Sequence, residues 1–282
     1  MLMLVAMVCY VMNDTFVKLT ADRLPPGQIL AVRGAVASAL VIAMVRGRIV
    51  LRRSAVPPIM GVRCALEVTT ALASVVALSL VPLAAVTSLM MTAPLLIAVA
   101  AMTLRWEPWQ GRRVLAIGIG FVGTLLVVRP SANLESSLAG LVAALLCAAS
   151  LAGRDLVTRR IPATIPSGTI AVLTTVTVAL AGALLGLVER WVWLKPQDVA
   201  VLAAAATCAA MGNYALIAAC RGVDLSVVTP FRYSIIIWAA LLGYAVWGEI
   251  PDMQSFSGIA MIMAAGAYAA YAGHAEARRS VE

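Results

Sequence analysis

Residues 13–18 read NDTFVK, and residues 154–159 read RDLVTR. Both stretches place charges inside apolar runs, and a shift of 141 positions lays Asp14 on Asp155 and Lys18 on Arg159. The runs around them belong to a membrane. The chain of 282 residues is 62% hydrophobic and 12% charged, with a mean hydropathy of +0.98. A soluble domain carries roughly 25% charged and about 45–50% apolar residues. A spanning helix needs about 20 mostly apolar residues. Ten such segments fit, near 3–20, 28–45, 60–80, 83–104, 113–128, 138–158, 168–188, 199–220, 226–247 and 256–272. They use nearly the whole chain, and no soluble domain is expected. Met1 to Tyr10 carries no positive charge and no A-x-A site follows. The first segment is therefore read as a span and not as a cleaved leader.

Other matches keep the same register. LRWE after the fourth segment ends at Glu107 and VWGE after the ninth ends at Glu249, 142 positions on. The same shift lays Leu83–Thr87 on Leu225–Thr229 and Ala116–Ile117 on Gly258–Ile259. Internal self-similarity at a fixed offset signals repeated architecture. The expected fold is an all-α membrane protein with ten transmembrane helices, built as two five-helix repeats, 1–130 and 131–282. Five is odd, so the second repeat enters the membrane from the opposite side. Inverted repeats around a central cavity are a common plan of secondary transporters, which work by alternating access. The repeat is not strict: Pro94 lies 13 residues before Glu107, whereas Pro230 lies 19 before Glu249. The two proline bends are not equivalent.

The net charge of +8 is orientation, not a nucleic-acid surface. Lys and Arg concentrate in short cytoplasmic loops. With the N-terminus inside, the inner loops and tail hold Arg46, Arg48, Arg52, Arg53, Arg63, Arg105, Arg112, Arg113, Arg159, Arg160, Arg221, Arg278 and Arg279. The outer loops hold only Arg23, Arg129, Arg190 and Lys195. Both termini are therefore expected in the cytoplasm, with membrane lipid as a partner. The five cysteines all fall in apolar segments without a CxxC or Cys/His cluster, and read as small packing residues.

The order of residues resembles the EamA-type transporters of the drug/metabolite transporter superfamily. The resemblance rests on D-x-x-V-K-L-x-x-x-x-L-P-P-G-Q-I from Asp14 to Ile29, followed by Arg33. It continues in LVPLAAVTS (80–88), TAPLL (92–96), Glu107, GIGFVGTLLVVRP (118–130), VVTPFRYS (227–234) and WAALLGYAVWGE (238–249), and so covers essentially the whole chain. It implies ten helices in a bacterial inner membrane and movement of a small metabolite. Amino-acid export, as in the aromatic amino-acid exporters, leads; uptake of a nucleoside-like or vitamin-like metabolite comes second. No oligomer is implied, and a monomer would suffice.

Candidate site residues are the polar groups within the spans. Asp14 and Lys18 stand i, i+4 on one helical face, acid first, the better order for a helical ion pair. With Arg33 close by they form either a structural pair or a gate at the outer end. Arg154 and Asp155, flanked by Arg159, would be the inner counterpart. Glu67 pairs with Arg63 one turn earlier or carries a proton. Arg232 and Tyr233 follow Pro230, and Arg232 either holds a substrate carboxylate or snorkels. Asn13, Asn213, Tyr214, Thr70, Ser74, Ser88 and Thr92 are polar cavity candidates, although Ser and Thr also serve as interhelical glue. Met91 and Trp238 could form an apolar wall. Trp106, Trp109, Trp191 and Trp193 suit the lipid or its interface.

Gly118, Gly120 and Gly123 spell GxGxxG, but within a span, where they read as close helix packing and not as a dinucleotide site. There is no Walker motif, no HExxH and no GxSxG, and the single histidine, His274, lies in the tail. Neither an enzyme nor a cofactor or metal is expected. The rival to a transporter is a scaffold packed dry at its centre.

Overall fold

A computed structural model describes residues 2–45, 57–105, 111–127, 134–158, 160–162, 165–220, 233–250 and 252–279. Among these residues there is no strand and there are eleven helices. In chain order they are α1 (Leu2–Ala21), α2 (Pro26–Val45), α3 (Ile59–Leu80), α4 (Leu83–Met90), α5 (Ala93–Thr103) and α6 (Gly111–Val127). Then follow α7 (Leu134–Thr158), α8 (Ser167–Leu185), α9 (Pro196–Cys220), α10 (Ser234–Trp247) and α11 (Met253–Arg279). With α4 and α5 taken as two pieces of one segment, the helices make ten segments. Helices α1, α2, α3, α7 and α8 are each long and apolar enough to cross a membrane.

The fourth expected segment is not continuous. It breaks at Met91–Thr92, just before Pro94. Proline has no N–H, and its ring crowds the carbonyl four residues back, here that of Met90. The Thr92 hydroxyl donates to the Leu89 carbonyl at 2.7 Å and closes the break. Helix α7 starts four residues earlier than the apolar run, and α11 runs seven residues beyond it. Backbone hydrogen bonding carries a helix past the residues that lipid demands. Glu107 and Pro230 lie outside the described residues, as does the expected boundary between repeats near residue 130.

Helix pairing displays the repeat directly. The most extensive contacts are α1 with α9, α3 with α7, α2 with α8, and α6 with α11. The sequence shift exchanges α1 with α7 and α3 with α9, so it turns the first pair into the second. The same shift maps α2·α8 and α6·α11 onto themselves. The smaller contact of α2 with α9 answers to that of α3 with α8. The packing is that of two repeats related by a pseudo-two-fold axis.

Lipid is as apolar as leucine, so helices in a membrane associate through close packing of small residues. Helix α2 meets α8 in this way. A Cβ on Gly182 would lie 2.7 Å from the Gly27 carbonyl oxygen and 2.9 Å from the Leu30 carbonyl carbon. A Cβ on Gly34 would lie 2.8 Å from the Ala179 Cα. In α6·α11, a Cβ on Gly123 would lie 2.7 Å from the Gly258 carbonyl oxygen. The glycines of GxGxxG thus divide: Gly123 is a contact between helices, whereas Gly118 faces open space.

Candidate functional site

The charged side chains of the spans gather in three places. The first is a clamp at the end of the bundle where α1 finishes. Helix α10 ends at Trp247, and Gly248 takes the left-handed conformation (φ 69°) that glycine adopts without steric cost. Its N–H bonds the Tyr244 carbonyl at 2.9 Å, and the Glu249 N–H bonds that of Gly243 at 3.1 Å. The turn folds Glu249 back toward α1 and the α3–α4 junction. There Lys18 Nζ meets Glu249 Oε1 at 2.5 Å, donates to the Val81 carbonyl at 3.3 Å and sits 4.8 Å from the centre of the Trp247 ring. The other carboxylate oxygen, Oε2, accepts the Leu83 N–H at 3.0 Å. Leu83 is the first residue of α4, and Pro82 before it cannot donate. The Glu249 charge therefore caps a helix start, where orphan N–H groups favour an anion. One ion pair ties together α1, α3, α4 and α10.

The second place is a network at the start of α3 and the end of α7. Arg63 and Glu67 stand i, i+4 on α3, with Arg63 Nη1 3.0 Å from Glu67 Oε2. Arg154 of α7 reaches the other oxygen of Glu67 at 3.4 Å and chelates Asp155 through Nε at 3.0 Å and Nη2 at 2.8 Å. Arg63 Nε donates to the Thr158 hydroxyl at 3.0 Å. Two arginines and two carboxylates thus bind the start of α3 to the end of α7. Glu67 and Val81 are 14 residues apart on α3, about 21 Å at the helical rise. The clamp and the network therefore hold opposite ends of the bundle.

Asp14 and Arg33 lie between them. Asp14 stands 12 residues into α1, about 18 Å along a helix of roughly 30 Å. Both side chains are deep in the bundle yet keep part of their surface accessible. Among the described residues they form no direct ion pair. Asn13 stands between them: its Nδ2 donates to Asp14 Oδ1 at 2.8 Å, and its Oδ1 accepts from Arg33 Nη1 at 3.1 Å. The i, i+4 pairing of Asp14 with Lys18 is therefore corrected. Lys18 is drawn to Glu249 because that carboxylate comes with a carbonyl and an aromatic face, whereas Asp14 is held by its neighbour's amide.

The fold is shared with known proteins. Seventeen chains of solved structures match. One of them, described only as the crystal structure of a protein, superposes with a TM-score of 0.67 at 20% identity, over 100% of this chain and 99% of that one. No curated protein matches. The model of the EamA-like transporter family matches residues 1–129 and, a second time, residues 138–270. The chain belongs to the EamA-like transporter family.

As an EamA-like protein the chain is a membrane transporter, and the remaining candidates can be placed within it. Ser88 and Thr92 are buried, and their hydroxyls donate to the Ala84 and Leu89 carbonyls of their own segment at 2.6 and 2.7 Å. Thr70 does the same to Leu66 at 2.7 Å. Met91 is buried in the core, while Ser74 and Trp238 are half-buried, Trp238 packing against that core. Tyr233 is buried in the main core with its phenol in the notch left by Gly266 of α11. Pro94 stands just after the break between α4 and α5. The side chains of Asn213 and Tyr214, and all of Arg159, Pro230 and Arg232, lie outside the described residues.

In the sequence Glu249 stands out only as a repeat marker and not as a site residue. The available signal was a carboxylate directly after a glycine that ends an apolar helix. Thr158, one turn after Arg154, becomes a site residue only once α3 lies alongside and Arg63 reaches it.

Proposed function

We propose that this transporter exports amino acids, aromatic or otherwise apolar, across a bacterial inner membrane by alternating access. Residues 1–130 and 131–282 form the two inverted repeats, and both termini face the cytoplasm. The observation that carries the substrate class is charge balance. Lys18 pairs with Glu249, Arg63 and Arg154 face Glu67 and Asp155, and Arg33 lies near Asp14. Among the described residues these charges are equal and opposite, and in apolar surroundings that suits a net-neutral zwitterion. A phosphate ester would call for a surplus of cations. The Lys18–Glu249 clamp serves as the outer gate and the Arg63–Glu67–Arg154–Asp155 network as the inner one. Access then alternates as one is made while the other opens.

The test is uptake into proteoliposomes of labelled phenylalanine, tryptophan, threonine and an adenosine-containing metabolite, with and without a proton gradient. Selective flux of phenylalanine and tryptophan is expected. Flux of the adenosine compound alone would replace the amino-acid reading.

A further inference from the structure

We infer that Asp14 and Arg33 are the two halves of a zwitterion subsite, Asp14 taking the substrate's ammonium and Arg33 its carboxylate. The inference rests on the amino-acid reading above and deepens it. An α-amino acid carries both charges on one carbon. A receptor for it must hold an anion and a cation side by side without letting them neutralise each other. Asn13 does this: its amide fills the gap, accepting from Arg33 at 3.1 Å and donating to Asp14 at 2.8 Å.

Among the described residues, the charges of the clamp and of the network are already closed by direct partners. Lys18 and Glu249 meet at 2.5 Å, Glu67 faces two arginines, and Arg154 grips Asp155. Arg33 and Asp14 are the pair held apart. A guanidinium has five N–H donors and a carboxylate two oxygens. Asn13 takes one donor of Arg33 and one oxygen of Asp14, so both retain capacity for a ligand. Both also keep part of their surface accessible, so a ligand can reach them. Charge-assisted hydrogen bonds of this kind are roughly twice as strong as neutral ones, so they can decide which solute is held.

The experiment is competition against labelled phenylalanine on the purified transporter. The competitors are 2-phenylethylamine, which lacks the carboxylate, and 3-phenylpropionate, which lacks the ammonium. Asp14→Asn should weaken phenylalanine and the amine about ten- to hundredfold and leave the acid within about twofold. Arg33→Gln should weaken phenylalanine and the acid and spare the amine. Asn13→Ala keeps both charges and removes the spacer; with Asp14 and Arg33 free to close on each other it should weaken phenylalanine, the amine and the acid alike at a near-wild-type melting temperature, and unaltered binding of all three would count against the inference. Equal weakening of all three ligands by Asp14→Asn and Arg33→Gln, or unaltered phenylalanine binding, would overturn the subsite while wild-type amino-acid flux kept the transport reading intact. A wild-type protein that neither binds nor moves amino acids would overturn both.

Discussion

Lys18→Met should lower the unfolding free energy by about 3 kcal/mol, the low end of the roughly 3–5 kcal/mol seen when one partner of a buried pair is removed. The low end applies because the Glu249 side chain keeps 22% of its surface, against 11% for Lys18. The loss has three parts. Glu249 is left without its cation, the Val81 carbonyl loses its side-chain donor, and Trp247 loses the ammonium beside its ring. The Leu83 N–H still caps the carboxylate, which limits the damage. Lys18→Met combined with Glu249→Gln should recover much of the loss, because an apolar and a neutral side chain need no counter-charge. Thermal unfolding of the four proteins of this cycle in one detergent checks it. A double variant no better than Lys18→Met would mean that the pair is not the source of the effect.

Gly182→Val should be comparably damaging, through packing and not charge. The new Cβ would sit 2.7 Å from the Gly27 carbonyl oxygen and 2.9 Å from the Leu30 carbonyl carbon. Both are backbone atoms of α2 and cannot rotate away. The α2·α8 pair must separate, and overpacking of this kind costs about 1–3 kcal/mol or more. Separation would also strain the contacts just beyond α8, where Gln28 clasps Val192 with bonds of 2.7 and 3.0 Å and Gly27 N–H reaches Glu189 at 2.9 Å. Gly61→Ala and Gly118→Ala serve as controls, since a Cβ there meets nothing within 4 Å. They should be neutral, or stabilising by about 0.5–1 kcal/mol, because alanine favours the helix over glycine. A melting-temperature series across the three variants reads the difference. Equal behaviour of Gly182→Val and the controls would refute the close packing of α2 on α8.

The fold was legible because membrane helices write themselves as long apolar runs and because the two halves keep a common register. The shift that lays NDTFVK on RDLVTR is also the shift that exchanges α1·α9 with α7·α3. Positions of charges were legible too: Asp14, Lys18, Arg33, Glu67, Arg154 and Asp155 all stand within the spans. Their partners were not. Spacing of i, i+4 allowed Asp14 with Lys18 and Arg63 with Glu67 equally, and only the second pair forms. Lys18 instead crosses to a residue 231 positions away, a contact that no local spacing encodes. The Ser and Thr hydroxyls of α3 and α4 were legible as polar but not in their direction. A donor in an apolar setting returns to the carbonyl one turn back whenever nothing better is in reach.

Carriage of an amino acid through one site open to each side in turn has a direct signature in counterflow. Proteoliposomes are loaded with unlabelled phenylalanine, diluted into a trace of labelled phenylalanine, and followed with no ion gradient. A transient rise of internal label above the external level is expected, absent from empty liposomes and reduced in Asp14→Asn. Label that merely equilibrates, with the same time course whether or not the vesicles were loaded, would contradict it.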